Sequence, residues 1–354
     1  MHMLKRDKTI DRLRAIAMFW VIVVHVLYWG SFFRNSYINV LKSFCLFEMP
    51  LFFFVMGASN SYSKIDKYSS FVYKRFKRVL IPYWFYAVIC AFLSVAYLGV
   101  RDKIDLFMIA KILLSWIIPV DRQITTISYV TSALWFVPVC LCVNMIIPFL
   151  KRMEGSKNRI TFLFVGIFLF VIVCLFKMGW IQNIVFYSLW TYIGLFYNEI
   201  LERLNQNKFR KRIGILVVSG IVLMFLIYTA GGPIDMQHNK FPPNIVFGVF
   251  SVVMMSLILL IIPYINKLFE RLENNNLIKK IIDLYSLRSM TIFLYQSFAF
   301  ALTVRFCKIL IDNKGFLAGF IKSVTCLLLT VPICALAAHF LGRIEDYGKT
   351  NKCN

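Results

Sequence analysis

The sequence predicts an all-α fold, a polytopic bundle of about ten transmembrane helices with both termini on the cytoplasmic side. Three observations carry that prediction. Of the 354 residues, 60% are hydrophobic and 16% charged, against roughly 45–50% and about 25% in soluble domains. Apolar runs long enough to cross a bilayer recur along the whole chain. Finally, 40 Lys and Arg stand against 17 Asp and Glu, a formal charge of +23, and in so apolar a chain those cations belong in loops between spans. The same figures argue against a water-soluble enzyme, a disordered chain and a nucleic-acid partner.

A span needs about 20 mostly apolar residues to cross a hydrocarbon core of roughly 30 Å. Runs near 12–30, 41–60, 79–99, 129–149, 160–177, 184–201, 212–230, 245–265, 289–307 and 316–341 approach or meet that length. The first run continues to full length and ends in aromatics, so it reads as a span and not as a cleavable signal peptide. Short polar connections join the runs, and neither an internal repeat nor a separate soluble domain is visible. Residues 1–354 therefore read as one integral membrane domain.

Basic residues orient it. With the N-terminus inside, the cytoplasmic segments carry 28 Lys and Arg and the outer ones ten, while Arg305 and Lys322 lie within spans. Residues 104–118, IDLFMIAKILLSWII, are apolar enough to suggest an eleventh span, but Lys111 sits mid-run. A crossing there would also move 17 cytoplasmic basic residues outside. An interfacial or re-entrant helix is expected instead.

No metal site is expected. Eight of the nine Cys lie in apolar stretches, Cys353 is at the tail, and the four His are scattered. That pattern matches neither a metal-ligand spacing nor a secreted disulfide framework.

Ionisable groups inside spans are costly, and so they are functional candidates. The first run, RLRAIAMFWVIVVH, carries Arg14 and His25. Eleven helical steps return to nearly the same face with a rise of about 16 Å. If Arg14 marks the inner surface, His25 lies near mid-membrane, where an imidazole can accept a proton. The second run, FEMPLFFFVMGASN, carries Glu48 at similar depth, with Pro50 and Gly57 set to bend or tighten the helix. A helix–helix hydrogen bond accounts for Glu48 as well as a catalytic role does. KRFKRVLIPYW then places Arg75 and Arg78 at i,i+3 on one face. Guanidinium forks bind phosphate oxygens, but positive-inside anchoring alone would also put them there. Lys74 and Lys77 read as solvated, and Tyr83 with Trp84 as an interfacial aromatic belt.

Taken together, these motifs resemble the acyltransferase-3 family of integral membrane O-acyltransferases, in its fucose-acetylase-like branch. The matching features are Asp11-Arg12-Leu13-Arg14 with ten residues before His25, the stretch MPLFFFVMGA, RFKRVLIPYW with Arg75, Arg78 and Pro82, and ALWFVP from Ala133 to Pro138. The chain departs from the family pattern in Glu48, where that branch often has His, and in Met56, where it often has Ser. Gln296 in SMTIFLYQSF stands at another frequent His position.

The resemblance implies transfer of an acyl group, most often acetyl, from cytoplasmic acyl-CoA (acetyl-CoA) to a hydroxyl of a cell-envelope sugar or lipid-linked glycan. It implies no permanently bound cofactor and a place in the bacterial cytoplasmic membrane, among membrane lipids and glycan-assembly partners. His25, Arg14 and Glu48 would form the catalytic group, with Glu48 fixing the imidazole tautomer. Arg75 and Arg78 would bind the donor, and Trp135 and Gln296 would line the substrate site. A transporter or flippase for a lipid-linked sugar is the rival reading. A structural membrane partner with a decayed site is the third, kept open by Gln296.

Overall fold

The computed structural model describes residues 7–347, apart from 31, 33–35, 66, 102–104, 120–122, 126, 128, 233–234 and 312–314. His2, Lys5, Ile104, Cys353 and both termini thus lie outside the described residues. The described chain is helical: α1 Lys8–Trp29, α2 Ser36–Ser43, α3 Glu48–Ser61, α4 Tyr68–Arg101, α5 Leu106–Ser115, α6 Phe136–Glu154, α7 Arg159–Leu175 and α8 Trp180–Leu195. There follow α9 Tyr197–Leu204, α10 Asn207–Thr229, α11 Met236–Lys240, α12 Ile245–Leu272, α13 Asn276–Leu287, α14 Ser289–Leu310 and α15 Phe316–Leu341, closed by a 3-10 turn at Gly342–Asp346.

Each of the ten apolar runs overlaps helix among the described residues. Among the described residues, seven helical segments are long and apolar enough to cross a membrane: Ile38–Ser61, α4, α6, α10, α12, α14 and Phe316–Asp346. The fourth run begins later than its composition implies. Residues 130–135 form turns and α6 starts at Phe136, placing Pro138 in a first turn that does not need its missing N–H.

The chain forms two compact units. The first comprises Met1–Val24, Arg34–Lys64 and Ile146–Ser286. Its tightest packing joins α3 to α8 through two glycines. A Cβ on Gly57 would lie 2.0 Å from the Thr191 carbonyl oxygen, and one on Gly194 would lie 2.1 Å from that of Phe54. Only bare backbone allows so close an approach, a means of helix association common in membranes. Pro50 does not bend this helix: turns at 44–47 separate α2 from α3, and Pro50 sits in the first turn of α3.

At one end of the same unit, the buried Arg12 donates Nε and Nη2 to the two carboxylate oxygens of Glu273, at 2.8 and 2.9 Å. It also donates to the side chain of Asn266. The hydrogen bond from Arg12 holds the Glu273 carboxyl below its ordinary pKa. The stabilisation is therefore complete above the ordinary carboxylate range, near pH 4.3, and is lost as pH falls through the depressed folded value. Acid titration of unfolding should show this loss in the native protein, and Glu273→Gln should flatten that limb. An unchanged acid limb would remove Glu273 from the explanation.

The second unit comprises His25–Phe33, Ile65–Met145 and Leu287–Asn354. Here α14 and α15 pack through buried hydroxyls, with Thr303 Oγ1 and Thr330 Oγ1 2.8 Å apart. Helix α5 has ten residues, a rise of about 15 Å, half of what crossing needs. Tyr83, expected in an interfacial belt, is fully buried, while Trp84 is exposed. The Tyr83 hydroxyl donates to the Trp116 and Ile118 carbonyls at 2.9 and 3.0 Å, and Trp84 Nε1 to that of Ile117 at 3.1 Å. Carbonyls at and just beyond a helix C-terminus lack intrahelical donors, so these two side chains tie the end of α5 to α4.

Candidate active site

Helix α1 carries His25 one turn before its C-terminal end, and α14 carries the fully buried Gln296. His25 Nδ1 lies 3.1 Å from Gln296 Oε1. The amide has one possible orientation, because its Nε2 donates to the Phe293 carbonyl at 3.0 Å, and a carbonyl can only accept. Oε1 therefore faces the ring, Nδ1 carries the hydrogen, and the lone pair of the neutral imidazole lies on Nε2. Gln296 thus does what was expected of Glu48: it sets the tautomer.

The ring is also stacked. The His25 and Trp29 centroids are 3.7 Å apart with planes at 13°. Trp29 in turn stacks on Tyr129 at 5.7 Å and 19°, and meets Phe300 edge-on. Tyr129 has φ of 73°, a left-handed conformation that costs an L-residue roughly 1–2 kcal/mol. Half-buried Trp135 lies just before α6. It touches Phe136 edge-on, and Phe136 packs at 4.5 Å on Phe293, whose carbonyl anchors Gln296.

On α4, Arg75 and Arg78 are half-buried, whereas Lys74 and Lys77 are exposed. The Arg75 guanidinium lies over Phe71 at 5.1 Å and the Lys77 ammonium over Tyr73 at 4.4 Å. Arg78 acts electrostatically on the buried Glu345. Glu345 Oε1 accepts from both the backbone N–H and the hydroxyl of Thr291 at 2.7 Å. Asp346 receives a two-pronged bond from Arg288, both contacts 2.7 Å. The 3-10 turn after α15 is thereby pinned to the start of α14.

The remaining two expected residues belong to the first unit. Arg14 donates to Ser59 Oγ at 2.5 Å and to Asp11 Oδ1 at 3.4 Å, and reaches the Ser286 carbonyl at 3.5 Å. Glu48 is 2% exposed and pairs through Oε1 with Lys240 Nζ, itself 3% exposed. Its Oε2 has no hydrogen-bond partner among the described residues.

The expected role of Glu48 at the imidazole therefore needs correction, since its carboxylate is engaged by an ammonium and the Nδ1 position by an amide. Lys240 escaped sequence reading because it stands in HNKFPPN, a short polar connection where a Lys ordinarily is solvated. The one local signal is Asp235, whose side chain caps α11 by accepting from the Gln237 N–H at 3.0 Å, which orders that connection. Among the described residues no group of three His, Cys, Asp or Glu is placed to hold a metal ion.

A family model described as an acyltransferase domain matches residues 7–339. No curated protein and no solved structure gave a significant match.

Proposed function

Because this chain belongs to the acyltransferase-3 family and is thus a membrane acyltransferase, we propose that it transfers an acetyl group. The donor is cytoplasmic acetyl-CoA, and the acceptor is a hydroxyl of a cell-envelope sugar or lipid-linked glycan. Its place is the bacterial cytoplasmic membrane, with both termini inside. One observation carries the chemical part of this reading: the Gln296 amide, anchored on Phe293, holds His25 as the tautomer whose lone pair lies on Nε2.

In the proposed reaction Nε2 takes the proton of the acceptor hydroxyl. The oxygen attacks the thioester carbonyl, the C–S bond breaks, and the imidazolium returns the proton to the departing thiolate. Ester and free thiol result, and His25 is neutral again. Gln296 stays bonded to Nδ1–H throughout and does not titrate, which supports a working site over a decayed one.

Arg75 and Arg78 suit the donor's phosphates, since both are half-buried on one face of α4 while the neighbouring lysines are exposed. Arg14 lies eleven residues before His25 on the same helix, a rise of about 16 Å. We assign Arg14 to orienting the chemistry or binding the donor.

The test is to incubate the purified protein in lipid with radiolabelled acetyl-CoA and envelope glycan acceptors. Label should appear in ester linkage on the glycan. No acyl transfer, together with glycolipid movement across liposomes, would favour the flippase instead. In the same assay Arg75→Ala and Arg78→Ala should each raise the donor KM about ten- to hundredfold. The difference should collapse with an acetyl-pantetheine donor that lacks the nucleotide phosphates. An equal KM penalty with both donors would remove the arginines from phosphate binding.

A further inference from the structure

We propose that Trp29 is a positioning residue for the transfer: its indole face stabilises the His25 imidazolium that exists only while the proton is in transit. This deepens the reading of His25 as the base and rests on it.

A base that takes a proton in a low-dielectric setting must have its new charge stabilised, or the transfer is slow. In Ser-His-Asp enzymes a carboxylate on the far ring nitrogen helps to do this. Here the group on Nδ1 is the neutral amide of Gln296, at 3.1 Å, which offers a dipole and no charge. The flat face of the ring supplies a second route. The indole of Trp29 lies parallel to it at 13° with centroids 3.7 Å apart. The indole face is the most electron-rich of the protein aromatics and attracts a cation within about 6 Å.

The arrangement is built and held. Residues 25 and 29 are i,i+4 on α1, the spacing that brings side chains face to face. Tyr129 stacks on Trp29 at 5.7 Å and meets Phe300 edge-on at 4.9 Å and 87°, while Phe300 meets Trp29 edge-on at 5.7 Å and 68°. These rings fix the indole rotamer. The left-handed backbone at Tyr129 shows a conformational cost borne where this cluster is assembled. Among the described residues, the phenol of Tyr129 is a titratable group that meets the stack.

The neutral imidazole gains mainly dispersion from this contact, whereas the imidazolium gains electrostatic attraction as well. The difference arises only as the proton moves, so it should appear in kcat and not in KM.

The test uses the full chain in lipid with Trp29→Phe and, introduced site-specifically, Trp29→pentafluoro-Phe. These two rings are nearly the same shape, but fluorination reverses the sign of charge on the face. We expect a several-fold fall in kcat for Trp29→Phe and about tenfold more for Trp29→pentafluoro-Phe. KM for donor and acceptor should be unchanged, and melting should be equal in the two variants. In a His25→Ala background the two should share one residual rate. Equal kcat for the two rings in the His25 protein would overturn the inference, and so would a persistent difference without His25. If the unsubstituted protein transfers no acyl group, the reading of His25 as base fails first and takes this inference with it.

Discussion

His25→Ala is expected to lower kcat for acyl transfer about 10²–10⁴-fold, the usual contribution of a positioned general base. Donor affinity, measured by calorimetry with a non-transferable acyl-CoA analogue, should change little, because the arginines on α4 are untouched. The unfolding midpoint should also hold, since His25 is only half-buried. Gln296→Leu should give a smaller loss. It removes the acceptor from Nδ1–H at a 3.1 Å contact, so the imidazole divides between its two tautomers and no longer has a fixed orientation. Transfer that survives His25→Ala unchanged would sink the proposed site, whatever the other variants do.

The second large effect concerns stability. Glu48 and Lys240 are 2% and 3% exposed and paired. Glu48→Ala strands a buried ammonium, and Lys240→Met strands a buried carboxylate. Removing one member of a buried pair typically costs about 3–5 kcal/mol, whereas replacing both with apolar groups of similar volume is often close to neutral. Denaturation in detergent should therefore rank the proteins as native and Glu48→Leu/Lys240→Met together, with both single variants well below. Single variants within about 1 kcal/mol of the native protein would show that the pair is solvated or dispensable. The double variant, of native-like stability, then decides what Glu48 does. Retained acyl transfer would make it a structural residue, and lost transfer with native stability would return it to the chemistry.

Much of the fold was legible because membrane solvation leaves few options. A backbone in hydrocarbon must satisfy its hydrogen bonds internally, so a run such as 212–230 can be read as helix from composition alone, and α10 occupies Asn207–Thr229. Helix ends were less legible. The start of α6 depends on the turns and left-handed Tyr129 before it, and the split between α2 and α3 on turns at 44–47. Neither interrupts the hydropathy profile.

Part of the candidate site was also visible. The placement of Arg75 and Arg78 on one α4 face, with the lysines turned outward, follows from a helical period of 3.6 residues. So does the shared face of Arg14 and His25. Such relations are local, set by covalent geometry within one helix, and the sequence by itself determined them, together with the helical class and the membrane environment.

Partnerships between helices were decided only by the tertiary structure. Gln296 is 271 residues from the ring it orients, and Lys240 is 192 from the carboxylate it engages. A buried polar group must find a partner, and the sequence states that need without saying which distant group meets it. Glu48 was a reasonable guess for His25 by depth and charge. Packing gave Glu48 an ammonium and gave His25 an amide and an indole face, because side-chain pairing in a bundle depends on how helices rotate and approach, and a one-dimensional pattern does not carry that information.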